Sequence, residues 1–264
     1  MPTSTPTDQL LVEQAGGVLT LTFNRPERRN AMTWEMYDGL ERACREADLD
    51  DEVRVVVLRA AGEKAFVAGT DIAQFREFSS GEDGVAYEAR ISEIMGSLLR
   101  LSKPTVAAVQ GFCIGAGIAI AAACDLRVAT SAARFGAPIA RTLGNCLSEG
   151  TVALLVHHLG PSRVSDLVLR ARLFTAEELS GAGFLHEVCE HDQLEAVTDS
   201  VVQTLLGHAP LTMWATKTTL RRELLGPAGE PSDDEVVARV YGSEDFRAGV
   251  AAFTSKGTPD WSGR

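Results

Sequence analysis

The apolar positions of this chain change period several times, and the changes outline its elements. Leu10–Glu13 and Val18–Phe23 are short apolar runs on either side of Gly16-Gly17 and predict a hairpin. Asn24-Arg25-Pro26 ends the second run. From Thr33 to Ala47 the period lengthens, with Met36, Leu40, Ala43 and Ala47 on one helical face. Val53–Leu58, "VRVVVL", is β-branched and predicts a strand with at least one buried side. A loop through "GEKAFVAGTDI" leads to a helix around Tyr87–Leu101, closed by Lys103-Pro104. Strand Thr105–Val109, helix Ala116–Cys124 and strand Leu126–Thr130 continue the rhythm.

Beyond about residue 190 the pattern turns helical, over Gln193–Leu206, Leu211–Leu224, Asp234–Tyr241 and Phe246–Phe253. Thr175…Glu178 and Ser232…Glu235 have capping-box spacing. The reading is an α/β core over residues 10–190 and a helical region over 191–264, after a leader over residues 1–9 expected to be flexible.

Composition alters this little, since 264 residues at 45% hydrophobic and 23% charged are ordinary for a globular chain. Charge narrows the partners. A formal net charge of −11 argues against nucleic acid or an anionic membrane, because phosphates are repelled globally. A small phosphate-bearing ligand needs only a local basic patch. Cys44, Cys113, Cys124, Cys146 and Cys189 are scattered, with no CxxC or Cys/His spacing, so neither a disulfide framework nor a metal site is expected. Free thiols and the absence of a signal-peptide pattern at the start predict a cytoplasmic protein. The longest apolar run, within 112–124, is short and glycine-interrupted for a membrane span.

The chemistry concentrates in "TVAAVQGFCIGAGIAIAAACD", Thr105 to Asp125. A dinucleotide fingerprint would need a third glycine at position 120, which is Ile120, and an acidic residue about twenty positions on, which is missing. An oxyanion site asks for less: small residues at a helix start, whose first amides have no intrahelical acceptor and carry the positive end of the dipole. A second loop of similar design, "FVAGTDI" (Phe66 to Ile72), lies upstream. Two amide-presenting loops that converge would hold one carbonyl oxygen.

Together these motifs resemble the crotonase (enoyl-CoA hydratase/isomerase) superfamily, from about Val12 to Arg264. "LTFNRPERRNAM" resembles the opening strand and turn, "AFVAGTDI" the first oxyanion loop, and "KPTVAAVQGFCIGAGIAIAAACDLRVA" the second. "RFGAP", "FTAEELSGAGFLHEV" and "SEDFRAGVAAFTSKGTPDW" match later landmarks in order.

The resemblance implies a spiral of β-β-α turns with a C-terminal helical trimerisation region, in a homotrimer or hexamer. It implies an acyl-CoA substrate, with coenzyme A arriving as part of the substrate and no separate cofactor. The thioester enolate would be held by the backbone amides of Thr70 and Ala116. Ala68, Gly69, Thr70, Asp71, Ile72, Ala73 and Gly115 would line the substrate, with Asp71 organising its loop. Phe253 and Lys256 match positions that reach coenzyme A, the lysine commonly from a neighbouring subunit. Arg28 and Arg29 would supply positive potential near its phosphates.

The pattern breaks where hydratases of the family carry two glutamates that position water and exchange its proton. Those positions are Ala119 and Ile139 here. Acid–base groups typically contribute 10²- to 10⁴-fold each, so ordinary hydration is not expected. Isomerisation, thioester hydrolysis, decarboxylation, carbon–carbon cleavage and pure acyl-CoA binding stay open. Glu149 is the expected substitute carboxylate, although a helix start favours a glutamate whatever its role. Arg141, Asn145, Cys146 and Ser148 are polar alternatives in the same segment. His157, His158, His186, His191 and His208 read as structural or surface residues.

Overall fold

The computed structural model describes residues 8–264. β1 (Leu10–Ala15) and β2 (Val18–Phe23) form the hairpin, in register from Leu10↔Phe23 to Ala15↔Val18. Gly16 and Gly17 both take positive φ at the turn, which glycine adopts without a Cβ penalty. α1 (Trp34–Leu49) starts where Thr33 Oγ1 accepts from the Met36 amide. β3 (Val55–Ala60), β4 (Ala65–Ala68) and α2 (Gly81–Arg100) follow, then β5 (Thr105–Val109), β6 (Phe112–Ile114) and α3 (Ala116–Ala123). Next come β7 (Leu126–Thr130), β8 (Arg134–Gly136), the short α4 (Ile139–Thr142) and α5 (Glu149–Val168). The chain continues through β9 (Phe174–Thr175), α6 (Ala176–Gly181), β10 (Glu187–Cys189) and α7 (Leu194–Leu206). It closes with α8 (Pro210–Leu225), α9 (Asp233–Tyr241) and α10 (Glu244–Ser255).

The strands divide between two sheets, ordered β1-β2-β3-β5-β7-β10 and β4-β6-β8-β9. Each of three successive turns gives its first strand to the large sheet and its second to the small one before a helix returns the chain. This is the β-β-α spiral that the motifs implied. From β2 onward the large sheet is parallel. The valines of its central strands β3, β5 and β7 are therefore buried. Val56 and Leu58 of β3 enter the main core with α1, α2 and α3, while Val55 and Val57 join Val106, Val128 and Val202 under α7.

Most expected elements lie within a few residues of their predicted bounds. β4 lies inside the segment expected to be loop, and β6 and β8 carry no expectation, because three or four residues show too little alternation to register. α2 starts at Gly81 rather than near Tyr87, since Ser80 and Asp83 make a cap in which Asp83 Oδ2 accepts from the Ser80 amide at 2.8 Å. Of the leader expected over residues 1–9, residues 1–7 lie outside the described residues. Gln9 is already held, its carbonyl accepting from the Asn24 amide at 2.7 Å. No helix among the described residues is long and apolar enough to cross a membrane.

Candidate active site

The parallel pairing of β4 with β6 builds the site. Ala68 stands opposite Ile114, so the turns leaving the two strands emerge side by side. Gly69 (φ 89°) ends one and Gly115 (φ 58°) the other. A Cβ on Gly115 would stand 3.4 Å from Gly69 Cα, which measures how close the two backbones come. Gly117 serves a different need: a Cβ there would run into the Val67 carbonyl, so its absence lets α3 lie directly against β4. The small residues of this motif therefore divide between turning the chain and packing it.

Among the described residues the amides of Thr70 and Ala116 have no acceptor. The bridge between Met32 and Thr70 uses other groups: the Met32 amide donates to Gly69 O and the Asp71 amide to Met32 O, both at 2.9 Å. Ala116 is the first residue of α3, where no intrahelical acceptor exists. α3 is buried almost throughout, so its dipole is poorly screened.

Both glycine turns open on one cavity of about 260 Å³. Ala68, Gly69, Thr70, Ile72, Gly115 and Ala116 line it, as do Ala119 and Ile139. α2 forms the facing wall with Tyr87, Glu88 and Ile91, and the 145–147 segment closes another side. A hydroxyl chain crosses the wall: Tyr37 Oη to Thr70 Oγ1 is 2.7 Å, and Thr70 Oγ1 to Tyr87 Oη is 2.7 Å. Burial raises both phenols above their ordinary pKa, so they stay protonated and anchor the Thr70 side chain.

A second hollow adjoins the first and shares Ala68, Thr70 and Ile72 with it. Asp71 and Ala73 line this one, together with Arg25, Arg28 and Arg76. Partial burial pushes the Asp71 carboxyl up. The Ala73 amide at 3.1 Å and Arg25 Nη2 at 3.0 Å outweigh it and hold Asp71 below the usual carboxylate range. Asp71 thus ties its loop to Arg25, as expected, and leaves Arg28 and Arg76 the less neutralised cations of the hollow. Arg29 points elsewhere, its guanidinium over the Phe112 ring at 5.8 Å.

Three expected site residues are not brought to these hollows. Glu149 is exposed at the first position of α5 and lines neither, because the helix starts with that side chain turned to solvent. Its Ser148 cap accounts for the placement, accepting from the Thr151 amide. Phe253, 88% exposed, and Lys256 lie at the end of α10, away from both hollows of this chain. His157, His158 and His186 line a separate apolar cavity beneath α8, which shares no residue with the first.

A sequence model of the family described as enoyl-CoA hydratase/isomerase matches residues 13–264. The chain belongs to that family. It is 30% identical over 251 residues to the short-chain-enoyl-CoA hydratase of Clostridium acetobutylicum, covering 94% of this chain and 95% of that protein. It is 31% identical over 258 residues to the 2,3-dehydroadipyl-CoA hydratase of Escherichia coli, covering 97% and 99%. A solved structure of an enoyl-CoA hydratase/carnithine racemase from Magnetospirillum magneticum superposes with a TM-score of 0.90 at 28% identity, covering 98% of this chain and 97% of that one.

Ala119 and Ile139, where the resemblance placed two glutamates, face one cavity and present no carboxyl group. Among the described residues the single carboxyl group that lines the cavity belongs to Glu88, which the sequence pattern did not single out. A signal for it existed. Glu88, Ile91 and Met95 stand at i, i+3 and i+7 of α2, and both apolar partners are buried, so an acid sits on an inward face. Arg25 and Arg76 were also missed, since only the fold brings residues 25 and 76 to one hollow.

Proposed function

We propose that this protein binds an acyl-CoA thioester with its acyl group in the cavity between the two glycine turns and stabilises the enolate of that thioester. What supports the reading is that Thr70 and Ala116, whose backbone amides have no acceptor among the described residues, both line that cavity and each directly follows one of the two glycines whose backbones approach closely. Each such donor is worth about 3–4 kcal/mol to a developing oxyanion, by comparison with the deletion of one oxyanion-hole side chain in another enzyme. Arg25, Arg28 and Arg76 in the adjoining hollow suit the phosphates of coenzyme A, with Ala68 to Ala73 running between the two ends.

Ordinary addition of water is not the reaction. Positioning and deprotonating a water needs polar groups where Ala119 and Ile139 stand, and both side chains are apolar. Mixing the protein with crotonyl-CoA and following loss of the enoyl absorbance tests this directly. Turnover should fall at least about 10²-fold below a hydratase with both glutamates. Turnover matching that control would refute the argument from Ala119 and Ile139. Displacement of a fluorescent acyl-CoA by butyryl-CoA should meanwhile show retained thioester binding.

The reading extends to assembly. The C-terminal helices build a homotrimer or a hexamer, and a neighbouring copy brings Lys256 toward the coenzyme. Exposed Tyr241 (63%), Val250 (49%) and Phe253 (88%) on α9 and α10 support it, as a row of apolar side chains suits burial against another copy.

A further inference from the structure

We propose that Glu88 is the catalytic base of the cavity, and that it moves one proton between the α- and γ-carbons of a β,γ-unsaturated acyl-CoA. The inference rests on the acyl-CoA reading above and names the substrate class for the same site.

The titratable side chains of the cavity wall are Tyr37, Tyr87, Cys146 and Glu88. Both phenols are protonated and committed to the Thr70 hydroxyl. Cys146 has no histidine or lysine partner among the lining residues. Among the described residues no lysine, arginine or histidine lines this cavity, so nothing there would bind a second carboxylate of the kind a decarboxylase removes.

Glu88 remains, half-buried on α2 and opposite the helix that carries Ala116 and Ala119. Burial pushes its carboxyl above the ordinary range, and the Ser148 amide and hydroxyl pull back only in part. A carboxylate so placed is a better base than one in water.

One base with apolar surroundings suits a reaction in which nothing is added. The Glu88 carboxylate takes a proton from the α-carbon, between the thioester carbonyl and the β,γ double bond. The C–H electron pair forms a double bond between the α-carbon and the carbonyl carbon as the carbonyl π electrons move onto oxygen, giving a dienolate whose charge the amides of Thr70 and Ala116 meet. Glu88 then returns the proton to the γ-carbon. The β,γ double bond shifts to α,β, the carbonyl re-forms, and the carboxylate ends as it began. No water, oxidant or leaving group takes part.

The experiment compares wild-type protein with Glu88→Gln, Glu88→Asp and Glu149→Gln on trans-3-hexenoyl-CoA. Appearance of the conjugated enoyl absorbance reports isomerisation, and butyryl-CoA binding, measured separately, reports an intact site. Wild type should isomerise, and Glu88→Gln should lose about 10²-fold or more while binding butyryl-CoA within about threefold. Glu88→Asp should recover part of the loss, and Glu149→Gln should match wild type. Four results overturn the proposal: Glu88→Gln within tenfold of wild type, loss in Glu149→Gln instead, release of free coenzyme A thiol as the main product, or wild-type protein that binds butyryl-CoA but does not isomerise. Wild-type protein that fails to bind butyryl-CoA overturns the acyl-CoA reading itself.

Discussion

His158 shows how its surroundings set a side chain's charge here. Its Nε2–H donates to the Ala122 carbonyl at 2.9 Å, and its ring meets Phe184 edge-on at 5.8 Å. Burial, reinforced by the Arg127 guanidinium, lowers its pKa to about 4. An unfolded histidine titrates near 6.5, so between these values the unfolded chain binds a proton that the folded chain refuses. Stability therefore falls as pH drops from about 6.5 to about 4. His186, also lowered by burial, adds in the same direction. Thermal melts across this range should show a shallower decline in His158→Gln, whose amide still reaches the Ala122 carbonyl. An unchanged slope would mean other groups carry it. Glu88 is the same effect with the opposite sign, an acid whose burial favours the protonated form.

α3 is the element on which the site depends. Its first residue, Ala116, lines the cavity, and its far end is closed by Arg127, a buried guanidinium donating to the carbonyls of Ala121 at 3.1 Å and Cys124 at 2.5 Å. Position 117 fixes how closely the helix lies on β4. Gly117→Ala would force a methyl against the Val67 carbonyl and should destabilise the fold by about 1–3 kcal/mol, the range for overpacking. Because the helix start would move with it, acyl-CoA binding should weaken as well. Gly84→Ala in α2 is the comparison: a Cβ there meets open space, and alanine should stabilise by about 0.5–1 kcal/mol. Urea unfolding of the two variants beside wild type checks both signs. The glycine pair was legible as a helix start with exposed amides. That Gly117 exists for packing was not, because the partner, Val67, is fifty residues away in sequence.

At the scale of the molecule, net charge and local charge act separately. A chain at −11 repels polyanions, yet the turn after β2 and the loop after β4 bring three arginines into one hollow. The apolar side chains left exposed on α9 and α10 belong to this scale too. Light scattering on the eluting protein should give three or six times the 28.2 kDa chain mass. A monomer that still binds acyl-CoA would show that the C-terminal helices are not needed for the site and would remove the role assigned to Lys256.

The sequence by itself determined the α/β alternation, the two glycine turns and the family, because each is written in local periodicity or in a contiguous motif. It also determined what is missing, since Ala119 and Ile139 occupy named places in that motif. The tertiary structure decided which carboxyl group enters the cavity. Glu88 and Glu149 are both helical glutamates to a reader of the chain, and only the packing of α2 against the glycine turns, with α5 opening to solvent, turns one inward and the other out. The arginine hollow and the Tyr37–Thr70–Tyr87 chain are of the same kind. Their members are scattered along the chain, and spacing along a chain does not say which side chains will meet.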